Sequence, residues 1–161
     1  MRPLQHKIVE GGNTWVYDGY LRKSDGARHG MGTCTYPGGT VYEGEFKDHK
    51  RNGRGKYTLP DGGVYEGEWK DDNRNGSGKN TWLSGKVYEG EWKDDKRNGR
   101  GKHTLPDGQV FEGEYKDDKM NGRCKYTLPD GRVFECEFIM VTVQGFVLGA
   151  PPPGAPPSLS F

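Results

Sequence analysis

A block of aromatic residue, Glu and Gly returns every 23 residues along this chain, at Tyr42-Glu43-Gly44, Tyr65-Glu66-Gly67, Tyr88-Glu89-Gly90, Phe111-Glu112-Gly113 and, altered, Phe134-Glu135-Cys136. Ten residues after each of the first four aromatics stands a second landmark: Asn52-Gly53-Arg54-Gly55, Asn75-Gly76-Ser77-Gly78, Asn98-Gly99-Arg100-Gly101 and Asn121-Gly122-Arg123-Cys124. A fixed period of this length describes a stack of like supersecondary units, each burying its apolar side with help from its neighbours. An earlier unit, Tyr17-Asp18-Gly19 with His29-Gly30-Met31-Gly32, lies 25 residues before Tyr42 because the stretch from Leu21 to Arg28 carries two extra residues. The chain thus divides into a lead-in over 1–16, a repeat array over 17–138 holding five whole repeats and the opening strand of a sixth, and a C-terminal strap over 139–161 that is first apolar and then proline-rich.

One repeat reads as a β-hairpin. In Val64-Tyr65-Glu66-Gly67-Glu68-Trp69-Lys70 the side chains alternate across a strand, so Tyr65, Gly67 and Trp69 share one face and Glu66, Glu68 and Lys70 the other. Tyr42, Gly44 and Phe46, then Tyr88, Gly90 and Trp92, then Phe111, Gly113 and Tyr115 repeat the pattern. Asp71-Asp72-Asn73-Arg74-Asn75-Gly76 supplies turn residues, with the Asn-Gly expected to take up positive φ. A second strand, as in Gly55-Lys56-Tyr57-Thr58-Leu59, again has one apolar face, and Pro60-Asp61-Gly62 turns the chain into the next aromatic strand. The glycine between two same-face aromatics leaves a slot, into which the ring of a neighbouring strand is expected to lie flat. The expected fold is all-β, an elongated single-layer antiparallel sheet of stacked hairpins.

Composition narrows the class. Only 30% of the residues are hydrophobic and 27 of 161 are Gly, too little aliphatic material for a two-layer core. Disorder is disfavoured, because the aromatics fall at fixed offsets and disordered chains are poor in them. A formal net charge of +1 provides no one-signed field for nucleic acid. Three Cys, an odd number, with no signal-peptide-like start, lead to the expectation of a reducing, intracellular compartment.

Tyr-Glu-Gly-Glu-Trp, Asn-Gly-Arg-Gly and Asp-Gly at a 23-residue period resemble the MORN (membrane occupation and recognition nexus) repeat, from Tyr17 to about Phe138. The resemblance implies β-hairpins stacked into one long sheet. By position, Tyr65, Gly67 and Trp69 match that family's opening motif, and Gly76 and Gly78 its Gly-x-Gly, as do Gly53 and Gly55, Gly99 and Gly101, and Gly122. The family usually carries His before this Gly-x-Gly. Only His29 fits; Asn52, Asn75, Asn98 and Asn121 stand in its place, and Asn suits a turn at least as well. The resemblance further implies a scaffold with no catalysis, no cofactor, no metal and no small-molecule substrate. Its expected partners are protein subunits of a large cytoplasmic or cytoskeletal assembly, first among them the ciliary axoneme and its radial-spoke-like machinery.

Three sharper signals remain. Lys50, Arg51 and Arg54, then Arg74, then Lys96, Arg97 and Arg100, then Lys119 and Arg123 sit beside the hairpin turns and would align as a basic edge. Such an edge is a candidate contact for anionic phospholipid, which makes a peripheral membrane module the alternative function; Asp48, Asp71, Asp72, Asp94, Asp95, Asp117 and Asp118 interrupt it and favour a solvated edge. Ten Glu from Glu43 to Glu137 occupy the polar face alike, so cross-strand pairing with Lys56, Lys79, Lys102 and Lys125 accounts for them better than acid–base chemistry. Cys124 and Cys136 replace glycines of the two landmarks together. A two-residue turn at Asp130-Gly131 would set Cys124 against Glu137 and a longer loop would shift it; two thiols filling the last glycine slots are expected rather than a disulfide. At the end of the chain Phe134, Phe138, Phe146, Leu148, Pro151, Pro152, Pro153 and Phe161 are the candidate partner-binding residues, the proline run reading as polyproline II.

Overall fold

The computed structural model describes the backbone of residues 4–10 and 13–138 and the side chains of 14–138. Its described residues form twelve strands: β1 (Leu4–Glu10), β2 (Asn13–Leu21), β3 (Arg28–Thr35), β4 (Val41–Lys47), β5 (Lys50–Thr58), β6 (Val64–Lys70), β7 (Asn73–Thr81), β8 (Val87–Lys93), β9 (Lys96–Thr104), β10 (Val110–Lys116), β11 (Lys119–Thr127) and β12 (Val133–Phe138). They lie side by side in chain order in one antiparallel sheet. Residues 4–10, within the expected lead-in, form a strand that pairs with β2.

Two kinds of connection alternate. The tight one is Asp71-Asp72, flanked by the pair Lys70↔Asn73, with φ of 47° and 70°; Asp48-His49, Asp94-Asp95 and Asp117-Asp118 do the same. Positive φ at both central residues is the two-residue hairpin turn that matches strand twist, and Asp tolerates it better than most residues. The Asn-Gly expected in the turn lies inside β7 instead. There Gly76 has φ of 97°, and Glu68 of β6 faces three residues where a regular ladder would give one. This is a β-bulge, which bends the strand. The Glu68 carboxylate accepts the Ser77 N–H at 3.1 Å, and Glu45 accepts that of Arg54 at 3.0 Å, so the bulged backbone keeps its partners.

The wider connection is Pro60-Asp61-Gly62. Gly62 N–H donates to the Leu59 carbonyl at 3.0 Å, Leu59 N–H donates to the Gly63 carbonyl at 2.8 Å, and Gly62 takes φ of 96°. The same bonds close Leu105 to Gln109 and Leu128 to Arg132.

Glycine slots exist, and one ring covers two of them: the glycine two residues on in its own strand, where a neighbour's ring was expected, and the glycine opposite in the paired strand. Tyr42 folds forward over Gly44 and over Gly55 of the paired strand, and its hydroxyl donates to the Glu45 carbonyl at 2.9 Å. Tyr65 and Tyr88 repeat this with the carbonyls of Glu68 and Glu91, each at 3.1 Å. Trp69 then stands edge-on between Tyr42 (5.4 Å between centroids) and Tyr65 (5.2 Å), and Trp92 between Tyr65 (5.4 Å) and Tyr88 (5.2 Å). Edge-to-face contact is the favoured geometry for such rings. Tyr42, Tyr65, Tyr88, Phe46, Trp69, Trp92, Phe111 and Tyr115 are all buried, so one sheet layer makes a continuous core on one face.

Candidate functional site

The turn aspartates and the arginines of the expected basic edge meet on the aromatic face. Arg74 is the second residue of β7, and its guanidinium lies 4.2 Å from the centre of the Trp92 ring and 5.6 Å from that of Tyr65. Its Nε donates to Asp95 Oδ1 at 3.2 Å, its Nη2 to the Asp95 carbonyl at 2.9 Å, and its own backbone N–H to the same Asp95 carboxylate at 2.8 Å. Asp95 N–H returns a bond to the Arg74 carbonyl at 3.1 Å. Arg51 with Asp72 over Trp69 and Arg97 with Asp118 over Tyr115 repeat the clamp. Arg28 begins the series over Trp15, with His49 in the place of the aspartate.

The candidate anionic-surface residues therefore separate. Arg51, Arg74 and Arg97, with side chains only 19%, 27% and 13% exposed, belong to the interior, and this corrects the expectation of a single basic edge. A planar guanidinium stacks on a ring and binds a carboxylate at once, so these side chains are drawn inward. Lys50, Arg54, Lys96, Arg100, Lys119 and Arg123 stay exposed, with Arg54 next to Glu68 and Arg100 next to Glu114. The clamp was legible as an Arg and an Asp 21 residues apart that recur at 51/72, 74/95 and 97/118, a spacing the sequence reading passed over.

On the opposite face Lys56 is paired in register with Glu43 and Glu66, and Lys79 with Glu66 and Glu89. Lys79 Nζ approaches Glu89 at 3.5 Å and Lys125 Nζ approaches Glu112 at 3.7 Å. These carboxylates form a charge ladder on a half-solvated surface, each pair contributing little.

The rings and arginines of the aromatic face cover one another. What stands out is the turn after β7. Trp82-Leu83 replaces the Leu-Pro of Leu59-Pro60, Leu105-Pro106 and Leu128-Pro129, and both residues are exposed, Leu83 at 70%. They line an open cleft of about 380 Å³ with Arg51, Tyr57, Trp69 and Arg74. The Trp82 ring stacks at 5.7 Å on buried His103, whose pKa is lowered to about 4 by burial and by the nearby charges of Arg97 and Lys86.

Cys124 and Cys136 face each other directly across β11 and β12, with Cα atoms 4.9 Å apart, and are joined as a disulfide. The longer-loop alternative is therefore the one adopted, and the reading of two free thiols is corrected. The three-residue Pro-Asp-Gly loop sets the register, and 4.9 Å between Cα atoms suits a bridge. Phe134 is half-buried beside Tyr126, and Phe138 is opposite Gly122. Phe146, Leu148, Pro151, Pro152, Pro153 and Phe161 lie outside the described residues.

Among the described residues, no helix is long and apolar enough to cross a membrane, and no three His, Cys, Asp or Glu side chains are grouped to hold a metal ion. The family model described as MORN repeat matches five consecutive segments, 23–41, 42–64, 65–87, 88–110 and 111–131. Among solved structures, the SAS-4 (dCPAP) TCP domain of Drosophila melanogaster, in complex with a proline-rich motif of Ana2 (dSTIL), is similar at 12% identity and a TM-score of 0.41, over 84% of this chain and 91% of that one. Virginiamycin B lyase from Staphylococcus aureus is similar at 11% identity and a TM-score of 0.22, over 83% of this chain and 70% of that one. A search of curated proteins finds no match.

Proposed function

Because this chain belongs to the MORN repeat family, we propose that it is a non-catalytic scaffold, a stiff elongated sheet that holds protein subunits of a larger assembly at fixed separations. The observation that carries this reading is the Arg–Asp clamp, which ties hairpin to hairpin at three successive junctions with nearly the same distances. A single-layer sheet tied in this way resists bending between its units, which is what a spacer requires. The exposed Trp82-Leu83 turn breaks the repetition and provides one apolar place for a partner to dock. The setting we propose is intracellular and cytoskeletal, a ciliary axoneme with radial-spoke-like machinery first, and that placement rests on analogy within the family.

Fractionation of ciliated cells expressing the tagged chain tests the reading. The chain should remain with the detergent-insoluble axoneme, leave it only with a fixed set of subunits at high salt, and fail to float with anionic liposomes. Release by detergent together with salt-sensitive flotation would replace the scaffold with the phospholipid-binding alternative, acting through Lys50, Arg54, Lys96, Arg100 and Arg123.

A further inference from the structure

The last junction of the array is built unlike those before it. Where β5, β7 and β9 carry Arg51, Arg74 and Arg97, β11 carries Met120, which is buried. The residue 21 positions further on, Val141, has no carboxylate to clamp. Where Tyr42, Tyr65 and Tyr88 lie across a glycine pair, the equivalent ring is Phe111, which has no hydroxyl to tie it along its strand. Phe111 stacks on Tyr126 instead, with centroids 4.5 Å apart and planes at 17°. A Cβ placed on Gly113 would meet the Arg123 carbonyl at 2.9 Å and Met120 Cε at 3.2 Å, whereas one on Gly90 would meet the Tyr88 hydroxyl at 2.6 Å. The side chain nearest this slot is therefore Met120 and not the ring. The cross-strand glycine pairs Gly55↔Gly67, Gly78↔Gly90 and Gly101↔Gly113 then give way to Cys124↔Cys136.

We propose that the Cys124–Cys136 bridge is an exchangeable clasp that takes over from the Arg–Asp clamp at the end of the array, so that the attachment of β12, unlike that of any earlier strand in the array, is set by thiol–disulfide exchange. Cys136 is half-buried and Cys124 buried, so an incoming thiolate reaches the Cys136 sulfur first. A dithiol reductant, small or of the thioredoxin class, forms a mixed disulfide there. The S–S bond breaks, and its electron pair leaves on the Cys124 sulfur, which takes up a proton. The second thiol of the reductant attacks its own sulfur in the mixed disulfide and releases Cys136 as thiolate. In sum, two reductant thiols are oxidised to one disulfide, and the protein disulfide becomes two thiols. Cys34, buried in β3, lies outside this exchange and is an internal control.

The experiment uses the full chain, equilibrated with oxidised glutathione or with dithiothreitol, then alkylated after denaturation and weighed, with amide hydrogen exchange followed in parallel. One alkylated cysteine is expected in the oxidised chain and three in the reduced one. Exchange over 133–138 should quicken at least tenfold on reduction, while that over 87–104 stays unchanged. The Cys124→Gly/Cys136→Gly variant, which restores the glycine pair, should exchange equally in both buffers. Three alkylated cysteines after oxidation of the folded chain would overturn the proposal. So would equal protection of 133–138 in the two states of the natural chain, or a redox response that persists in the variant.

Discussion

Gly90 shows why single residues in this array cannot be ranked by strand propensity. A side chain there would meet the Arg100 carbonyl at 2.5 Å and the Cα of Gly101 at 2.6 Å, both backbone atoms that cannot rotate away. Val is the better strand former, yet Gly90→Val should destabilise the array by about 2 kcal/mol or more, as overpacking does in a closed site. A denaturant melt with unchanged midpoint would show that the strands can part to admit the side chain. His103 adds a pH dependence. Its folded pKa of about 4 lies below the ordinary value of 6.5, so the unfolded chain binds the proton more readily. Stability from this group is complete above pH 6.5 and is lost as pH falls from there towards 4, on the order of 1 kcal/mol by pH 5.5. Replacing it with the residue found at the same place in two other repeats, His103→Tyr after Tyr57 and Tyr126, should flatten the fall in Tm between pH 7 and 5.5. An equal fall in both proteins would assign the acid sensitivity to other groups.

At the scale of the hairpin, the clamp should act between neighbouring units. Arg74→Met copies the natural Met120 into an interior junction, removing a guanidinium stacked on Trp92 and its two bonds to Asp95. A loss of about 1–2 kcal/mol is expected, because Asp95 is half exposed and only the ring contact is well shielded. Asp95→Gly keeps the left-handed turn while deleting the carboxylate, so a double-mutant cycle isolates the pair. A coupling energy near zero would reduce the clamp to a by-product of register. The period, the alternation and the aromatic face were legible in the sequence because each is a local pattern written in side-chain type. Turn placement was not, since Asp-Asp and Asn-Gly both admit positive φ, and the choice is made by a bulge that needs Gly76 at 97° and the Glu68 carboxylate to bond it. The inward arginines were missed for a similar reason. A Lys/Arg run reads as solvated until the rings beneath it and the aspartate of the next turn are in place.

For the whole molecule, the decisive question is whether stability and assembly reside in different segments. Within the array the buried rings from Tyr17 to Tyr126 pack in one cluster, and the clamps lie among them. The sequence beyond it changes character, with Ile139-Met140-Val141-Thr142-Val143, then Phe146-Val147-Leu148, then five prolines between Pro151 and Pro157. A proline-rich segment is already extended and loses little entropy on docking, so a few aromatic contacts on a partner can hold it. Deleting residues 141–161 should therefore leave the circular-dichroism spectrum and the Tm of the array nearly intact while weakening its co-purification with the parent assembly. A truncated chain that melts well below the natural one would place part of the fold in that segment. One that still assembles at full strength would move the partner contacts back to the sheet, with the exposed Trp82-Leu83 turn the first place to look.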